Sequence, residues 1–391
     1  MITRKKMEKI AIVHAMNSYG RESETFIWQY LRQFENTVPV IMADSLQNLD
    51  QFPLPGRKIY AFSLSRWTWP WIKDNFYRRL MRRKMGLREQ IVRNEKIKLI
   101  HAHFGFIGYS YLKISTILNL PVITTFYGYD LYRKDIIRRY KKAYDQLFFN
   151  GAHFFVEGPC MRQRLIALGC PNEKISIQRI ALDLTKYETK QRNKESRQPV
   201  RLLFVGRFVE KKGLEYALKA LAKLKNDYCF RFKIIGNGEL KNSLRILAQR
   251  LGLTNKIDWA GVQPHSNVIQ NLKTCDLLLQ PSVTANNGDS EGGAPTIILE
   301  AQACGVPVVS TTHADIPYIT KNSESALLAP ERDAEALAKN IGFLFDHRDL
   351  WAQMGKEGRR HVEKNHDIKK EVKTLEYRYR KILFEFRMSA N

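Results

Sequence analysis

Short runs of β-branched and other apolar residues alternate with longer amphipathic stretches along nearly the whole chain. Short apolar runs are typical of strands that are buried on both faces, and stretches with helical periodicity are typical of the helices that cover them. The alternation therefore predicts parallel β-sheets covered by helices on both faces. The predicted strands are residues 10–15, 38–42, 58–62, 98–101, 122–126, 153–156, 175–180, 201–205, 230–235, 256–259, 277–280, 306–310 and 326–328.

A charged stretch rich in Gln, Asn and Ser interrupts this pattern at residues 186–199. It has no apolar periodicity and is typical of a linker. The chain of 391 residues also exceeds the usual size of one domain, which is roughly 150 residues. We therefore predict two doubly wound α/β domains, residues 1–188 and 200–365, whose strand ends face a shared cleft where ligands bind.

Composition is typical of ordinary folded proteins, since 44% of the residues are hydrophobic and 26% are charged. Five cysteines without a Cys-x-x-Cys pair disfavour a disulfide framework and a zinc site, so we expect a reducing, cytoplasmic environment. No segment approaches the ~18 consecutive apolar residues of a membrane span. The apolar part of residues 1–16 is too short for a signal peptide and is interpreted as the first strand.

The net charge of +25 indicates a polyanionic partner. Basic residues concentrate in residues 66–93, where a helical wheel separates an apolar arc from a basic one. We predict that this patch binds the anionic inner face of the cell membrane, which would make the protein peripheral. A surface helix with solvated arginines is the alternative. The patch comprises Trp67, Trp69, Trp71, Arg78, Arg79, Arg82 and Arg83.

The first candidate binding loop follows the predicted strand at residues 201–205. Gly206 lets the loop approach a ligand closely, and the helix that follows offers free backbone N–H groups. Arg207 and Lys212 add two positive charges, a combination that is typical of a diphosphate site. The alternative is a strand-to-helix turn whose cations face solvent.

A second candidate loop begins at Glu291 and places a Gly-Gly pair before a helix, which exposes backbone N–H groups. Glu300 lies inside that apolar helix, and a buried carboxylate needs polar partners such as sugar hydroxyls. Solvated acids are the alternative for both glutamates. A Gly-x-Gly turn after residue 235 is a weak signal by itself. The remaining residues of the two turns are Gly236, Gly238, Gly292, Gly293, Ala294, Pro295 and Thr296.

These segments, together with Pro281-Ser282 and residues 304–309, occur in an order that resembles the retaining glycosyltransferases of family 4, which have the GT-B fold. The resemblance covers residues 200–320 and implies two Rossmann-like domains that face a central cleft. It also implies a C-terminal helix, within residues 366–391, that crosses back to complete the first domain. Apolar residues such as Leu375 and Tyr379 recur there at helical spacing.

The resemblance implies roles for the charged residues. Arg207 and Lys212 would neutralise the nucleotide diphosphate, while the glycine-rich turns would bind the donor through their backbone. Glu300 would bind the ribose and Glu291 would contact the donor sugar, although the two are nine positions apart instead of the usual eight. Residues 313–318 also depart from the family pattern, which often has a glycine pair there. No Asp-x-Asp pair occurs, so we expect no metal and no cofactor beyond the donor substrate.

Weaker motifs in the first half resemble the acceptor domain of the branch that builds exopolysaccharides such as colanic acid. They imply that Glu24, His103 and Asp130 bind the acceptor and that the backbone at Gly20 approaches the donor phosphate. Tyr127 stands where many relatives carry a histidine that contacts the donor sugar or assists proton transfer. With a pKa near ~10, a tyrosine can donate a hydrogen bond but is a poor general base. The alternatives are a packing aromatic at Tyr127, a core histidine at His103 and a helix-start acid at Glu24.

Together these features predict a metal-independent, retaining glycosyltransferase that moves a hexosyl unit from a nucleotide-diphosphate sugar to a glycan or polyprenyl-linked acceptor. The resemblance implies that the leaving phosphate accepts the proton, so no protein base is assigned. The alternatives among enzymes are a nucleotide-sugar epimerase of the same fold and a sugar phosphorylase, whose cofactor-bearing lysine we cannot locate. The net charge alone suggests a nucleic-acid-binding protein. Such a protein should interleave basic residues with stacking aromatics along a groove, and this sequence does not show that pattern.

Overall fold

The computed structural model describes residues 8–21, 24–62, 86–189, 199–293 and 295–390. Its strands form two sheets. The strands of the first sheet are β1 (Ile10–Tyr19), β2 (Thr37–Leu46), β3 (Lys58–Ala61), β4 (Leu99–His103), β5 (Val122–Thr125), β6 (His153–Val156) and β7 (Ile175–Ile177). Those of the second sheet are β8 (Val200–Val205), β9 (Phe230–Ile235), β10 (Ile257–Gly261), β11 (Leu277–Gln280), β12 (Val308–Thr311) and β13 (Ala326–Ala329).

Both sheets are parallel and doubly wound. The strand order is β3-β2-β1-β4-β5-β6-β7 in the first sheet and β10-β9-β8-β11-β12-β13 in the second. In each sheet the order reverses beside the first strand, β1 or β8. Folds of this kind bind ligands beyond the carboxyl ends of the strands at that reversal.

Helices cover both faces of each sheet. In the first half they are α1 (Thr25–Gln33), α2 (Leu87–Asn94), α3 (Gly105–Leu118), α4 (Gly128–Tyr132), α5 (Lys134–Asn150) and α6 (Pro159–Ala167). In the second half they are α7 (Leu214–Leu224), α8 (Lys241–Arg250), α9 (His265–Thr274), α10 (Thr296–Ala303), α11 (Ile316–Ile319), α12 (Ala334–Asp346), α13 (Leu350–Asn365) and α14 (Ile368–Ala390). Short 3₁₀ turns occur at Asn172–Lys174, Leu184–Lys186, Glu210–Lys212 and Thr254–Lys256.

Every predicted strand is present, and the differences are confined to strand ends. β1 extends to Tyr19, beyond its predicted end at residue 15, because it pairs in register with β2 as far as Leu46. β7 ends at Ile177 instead of residue 180, although the N–H of Gln178 still donates to the carbonyl of Val156 at 2.8 Å. For β1, the neighbouring strand and not local composition sets where the strand ends.

Side chains of β8, in the interior of the second sheet, alternate between two apolar cores. Leu202 and Phe204 of β8 lie in a cluster with α7 and α12, whereas Leu203 lies in the cluster on the opposite face with α9 and α10. Burial on both faces requires apolar residues at nearly every strand position. This requirement explains why the strands could be identified from short apolar runs.

Helix α14 follows the second sheet in sequence but packs on the first. Its residues Ile368, Val372, Leu375 and Tyr379 are buried in the same cluster as Ile12 of β1. The predicted return of the C-terminal helix to the first domain is therefore confirmed. Together with the two doubly wound sheets, it confirms the expected GT-B fold class.

The membrane patch predicted at residues 66–93 lies mostly outside the described residues, which omit 63–85. All seven tryptophans and arginines that define the patch belong to that omitted range. Among the helices within the described ranges, none is both long and apolar enough to cross a membrane.

Candidate active site

Loops from the carboxyl ends of both sheets meet in a cleft. Gly128 begins α4 after β5, and Gly292 lies between β11 and α10. A Cβ atom on Gly292 would overlap Cα of Gly128, and one on Gly128 would lie 2.6 Å from the carbonyl oxygen of Glu291. Gly292 also has a φ of +81°, which residues with a side chain rarely adopt. Glycine at both positions therefore allows the two loops to close against each other.

Two acids make further contacts across the cleft. Oδ1 of Asp315 accepts a hydrogen bond from the N–H of Cys160 at 2.8 Å, in the first turn of α6. Glu157 directly follows β6 and packs against Gly293. A Cβ atom on Gly293 would collide with Oε2 of Glu157. Burial, helped by the Asp315 carboxylate, raises the pKa of Glu157 to about 8, and burial raises the pKa of Asp315 to about 6. The closed cleft thus holds two acids that protonate easily.

Lys212 and Glu291 form a largely buried ion pair on the second domain. Lys212 ends the 3₁₀ turn after β8, and its Nζ lies 2.8 Å from Oε2 of Glu291. The hydroxyl of Ser282 donates to Oε1 of Glu291 at 2.7 Å. Burial alone would raise the pKa of Glu291, but the ammonium groups of Lys212 and Lys211 lower it. The carboxylate is therefore ionised and held in one orientation.

Arg207 lies near this pair and is exposed. Burial lowers the pKa of Lys212, and the positive charge of Arg207 adds to that effect. No carboxylate within the described ranges forms an ion pair with Arg207. The predicted glycines explain the local packing, because a Cβ atom on Gly236 would overlap the carbonyl of Gly206. Gly238 likewise packs against the backbone of Phe208, so the two turns lie side by side.

Glu300 lies on α10, where residues 297–303 are all buried. Its Oε1 accepts a hydrogen bond from Nε2 of His265 at 2.9 Å, at the start of α9. That bond raises the pKa of His265. Pro295 and Thr296 begin α10, as predicted for a helix that follows the Gly-Gly turn, whereas Ala294 lies outside the described residues.

His313 braces the loop before α10. Its Nε2 lies 3.2 Å from the backbone nitrogen of Glu291 and 3.0 Å from the hydroxyl of Ser290, and its Nδ1 lies 2.6 Å from Oε1 of Glu331. Because a backbone N–H can only donate, Nε2 accepts and Nδ1 carries the proton toward Glu331. Burial alone would raise the pKa of Glu331, but the bond from His313 lowers it to about 2. The departure from the family pattern at residue 313 thus has a structural role.

Tyr127 precedes α4 and connects to two buried histidines. Its hydroxyl lies 2.8 Å from Nδ1 of His103, and Nε2 of His103 lies 3.1 Å from Nδ1 of His14. Asp130 is fully buried and accepts hydrogen bonds from the N–H groups of Tyr127 at 2.7 Å and Gly105 at 2.6 Å. Burial raises the pKa of Asp130 to about 7. Asp130 positions both loops, and the acceptor contacts of Asp130 and His103 stay predictions.

His14, His101 and His103 each place one nitrogen within 4.8 Å of the others, which is close enough to consider a metal site. Five of their six ring nitrogens hydrogen-bond within the protein, and both nitrogens of His101 do so, to Tyr379 and Thr125. The group contains no carboxylate that would balance a divalent cation in the core. We therefore interpret it as a hydrogen-bonded network.

Gly20 and Glu24 follow β1 directly. A Cβ atom on Gly20 would overlap the carbonyl oxygen of Gln47, so close packing of the chain already accounts for this glycine. Glu24 precedes α1 and pairs with Arg21 at 3.6 Å. Burial raises the pKa of Glu24, and Arg21 offsets part of that rise. The donor contact of Gly20 and the acceptor contact of Glu24 stay predictions.

No role was predicted from the sequence for Glu157, His265 or His313. Glu157 and His313 each follow a predicted strand within three residues, at the edge where cleft residues are expected. Their position was therefore an available signal. His265 offered no such signal, because its partner Glu300 is 35 residues away in sequence and only the fold brings them together.

Two protein-family models match successive parts of the chain. The model described as Glycosyltransferase Family 4 matches residues 29–186, and the model described as Glycosyl transferases group 1 matches residues 185–361. The boundary between the two matches lies just before the predicted linker.

Curated relatives are named for exopolysaccharide biosynthesis. A glycosyltransferase of Escherichia coli named for colanic acid biosynthesis is 34% identical over 275 residues, which are 69% of this chain and 67% of the relative. A glycosyltransferase of Erwinia amylovora named for amylovoran biosynthesis is 37% identical over 239 residues, which are 60% of this chain and 58% of the relative. The matched regions thus span roughly three fifths to two thirds of these relatives.

Solved structures share the fold over nearly the whole chain. A glycosyltransferase from Rickettsia africae has a TM-score of 0.77 at 18% identity and covers 96% of this chain and 99% of its own. The Anabaena protein HepE in complex with UDP has a TM-score of 0.77 at 14% identity and covers 95% of this chain and 100% of its own. At such identities the likeness shows the fold alone.

Proposed function

Given that this chain belongs to the group 1 glycosyltransferases, we propose that it transfers a hexosyl unit from a nucleotide-diphosphate sugar to a glycan or polyprenyl-linked acceptor. The observation that carries this proposal is the largely buried pair of Lys212 and Glu291 beside the exposed Arg207. It combines cations for a diphosphate with an oriented carboxylate for a sugar.

The two cations support a role in stabilising the leaving diphosphate. Positive groups that are fixed in a partly dry cleft stabilise departing phosphate oxygens more strongly than the same groups in water. Lys212 is held in place by Glu291, and Arg207 has a side chain that is available to a ligand. Because these side chains can neutralise the diphosphate, we propose that transfer proceeds without a metal ion.

The two glutamates support contacts to the rest of the donor. Glu291 is ionised and oriented by Lys212 and Ser282, so it can accept a hydrogen bond from a sugar hydroxyl. We propose that Glu300 binds the ribose. A carboxylate has several lone-pair sites, so Glu300 can accept from a ribose hydroxyl while it accepts from His265.

In the proposed step, the bond between the anomeric carbon and the phosphate oxygen breaks. The acceptor hydroxyl oxygen bonds to that carbon on the same face, and the hydroxyl proton passes to the leaving phosphate oxygen. The anomeric configuration is retained and no protein base is required. Burial, with Glu157 nearby, raises the pKa of Tyr127 well above its ordinary value, so this tyrosine can donate a hydrogen bond but cannot act as a base.

The relatives named for colanic acid and amylovoran biosynthesis support an acceptor from surface or exopolysaccharide assembly. We propose a cytoplasmic location at the inner face of the membrane, where polyprenyl-linked acceptors lie. The net charge of +25 favours an anionic surface as partner. No nucleic-acid partner is proposed.

Thermal unfolding of the purified protein with a panel of nucleotide diphosphates and their sugars tests the donor class. A nucleotide present at 100 times its dissociation constant stabilises the fold by ~2.7 kcal/mol. We expect at least one nucleotide to raise the unfolding temperature, and NMR of the glycosylated product to show the anomeric configuration of the donor. No stabilisation by any nucleotide diphosphate, or an inverted product, would refute the proposal.

A further inference from the structure

Three buried side chains of the first domain form a hydrogen-bonded chain that ends at Tyr127, the residue before α4. Nδ1 of His14 lies 3.1 Å from Nε2 of His103, and Nδ1 of His103 lies 2.8 Å from the hydroxyl oxygen of Tyr127. His14 is on β1 and His103 is on the neighbouring β4. At the inner end of the chain, Nε2 of His14 is buried and has no hydrogen-bond partner within the described part of the protein.

The unpartnered nitrogen fixes the direction of the chain. Burial lowers the pKa of His14, and burial lowers the pKa of His103 to about 3, so each ring is neutral and carries one proton. A proton on Nε2 of His14 would leave a buried N–H without an acceptor, and such orphaned donors are rarer in proteins than orphaned acceptors. The proton therefore lies on Nδ1 of His14 and is donated to Nε2 of His103.

His103 must then carry its own proton on Nδ1. It donates that proton to the hydroxyl oxygen of Tyr127, which leaves the tyrosine hydrogen for another acceptor. The backbone of Tyr127 lies beside the loop that contains Gly292. The carbonyl carbon of Tyr127 is 3.5 Å from the position that a Cβ atom on Gly292 would take. Tyr127 also lines a cavity of about 40 Å³, together with Glu157 and the histidines His14 and His103.

We propose that His14 and His103 are positioning residues that make Tyr127 a one-way hydrogen-bond donor to an oxygen of the bound glycosyl donor. This rests on the proposed function for the identity of the ligand. Without His103, the hydroxyl of Tyr127 can rotate and donate its hydrogen bond to a protein group instead. No proton is transferred along the chain, and each group keeps its own hydrogen.

The direction of the chain can be measured in the wild-type protein without substrate. In ¹⁵N NMR of protein with labelled histidines, protonated and unprotonated ring nitrogens are distinguished by their chemical shifts. The signals of His14 and His103 are assigned from spectra of His14→Gln and His103→Asn. We expect both rings to carry the proton on Nδ1. A proton on Nε2 of either ring would overturn the proposal, whether or not the protein transfers sugar.

The effect on transfer is tested with two substitutions of the same residue. His103→Asn keeps an N–H near the position of Nδ1, whereas His103→Leu removes it. We expect His103→Leu to lower kcat on the order of 10²-fold, as for the loss of one preorganised donor, and His103→Asn to restore most of it. Tyr127→Phe and the double variant with His103→Leu should be equally slow.

His101→Leu is the matched control. His101 lies on the same strand and face, is as buried as His103, and hydrogen-bonds Tyr379 and Thr125 instead of Tyr127. We expect its kcat to stay within a few-fold of wild type. The positioning role is refuted if His103→Leu is no slower than His101→Leu, or if His103→Asn is as slow as His103→Leu. A wild-type protein without transferase activity would refute the proposed function instead, and the NMR result would still decide the direction of the chain.

Discussion

The ammonium group of Lys212 lies 2.8 Å from the carboxylate of Glu291, and the two side chains are only 14% and 6% exposed. These residues are 79 positions apart in sequence, and the parallel order of β8 and β11 brings their loops together. The pair keeps Glu291 ionised. A bound diphosphate must share the ammonium of Lys212 with Glu291, whereas Glu300 is paired with His265. Substitutions of Glu291 and Glu300 should therefore have different effects on diphosphate binding.

Glu300→Gln should weaken the binding of a free nucleotide diphosphate, because an amide has one acceptor oxygen where the carboxylate has two. Glu291→Gln should weaken that binding less and reduce sugar transfer more, because it also releases Lys212 for the diphosphate. Isothermal titration with the nucleotide and initial rates with the nucleotide sugar separate the two effects. An equal loss of affinity in both variants would show that these roles are assigned wrongly.

Gly292→Ala should reduce turnover by roughly 10², because misplacement by about 1 Å has effects of that size and the new methyl group overlaps Gly128. Gly56→Ala is the matched control, since Gly56 has a φ of +71° but no atom within 4 Å of a Cβ position. Both variants should lose about 1–2 kcal/mol of stability from backbone strain. Turnover in Gly292→Ala equal to that in Gly56→Ala would contradict the close approach of the two loops.

Glu157 should make stability fall as pH rises. Its pKa is about 8 in the folded protein against an ordinary 4.5, so between these values the folded state holds a proton that the unfolded state has lost. The free energy of unfolding then decreases with pH across this window, by about 1.4 kcal/mol per unit of pKa difference at most. Glu157→Gln should flatten the decline, whereas Glu173→Gln, at an exposed position, should not. Unfolding temperatures from pH 5 to 8 measure this, and an unchanged slope in Glu157→Gln would count against the assignment.

Leu375→Ala should destabilise the protein by about 2–5 kcal/mol, because it opens a cavity where α14 packs on the first sheet. Tyr377→Ala on the same helix should change stability by less than about 0.5 kcal/mol, because Tyr377 is 69% exposed. Urea unfolding of both variants provides the comparison. Similar losses in the two variants would mean that α14 does not depend on this packing.

The fold could be predicted from the sequence because strands buried on both faces leave short runs of mainly apolar residues, as in β11 and β12. The start of β1 at Ile10 was predicted, but its C-terminal end could not be, since its pairing with β2 carries the strand on to Tyr19. The loops of the candidate site could be located because they follow those strands. The side chains that meet in those loops could not be predicted, because the partners are distant in sequence. Glu300 contacts His265, and Glu291 contacts Lys212.

The buried histidines illustrate the same limit. An alternating His-x-His at the end of β4 indicates one face of a strand but not what lies opposite. The structure places His14 beside His103 and leaves one nitrogen of His14 without a partner within the described ranges. That single unpaired atom, which no sequence pattern reports, sets the direction of the hydrogen bonds that reach Tyr127.

We propose that Arg207 and Lys212, and not a metal ion, neutralise the leaving diphosphate. This is tested by initial rates of nucleotide release from the nucleotide sugar in excess chelator. The rates are measured for wild type, Arg207→Ala, Lys212→Ala and the control Arg250→Ala, whose arginine is exposed. We expect the chelator to leave the wild-type rate unchanged. Both site variants should lose on the order of 10² or more in rate, and Arg250→Ala should keep the wild-type rate. Loss of wild-type activity in chelator with recovery on added divalent cation, or wild-type rates in Arg207→Ala and Lys212→Ala, would contradict the claim.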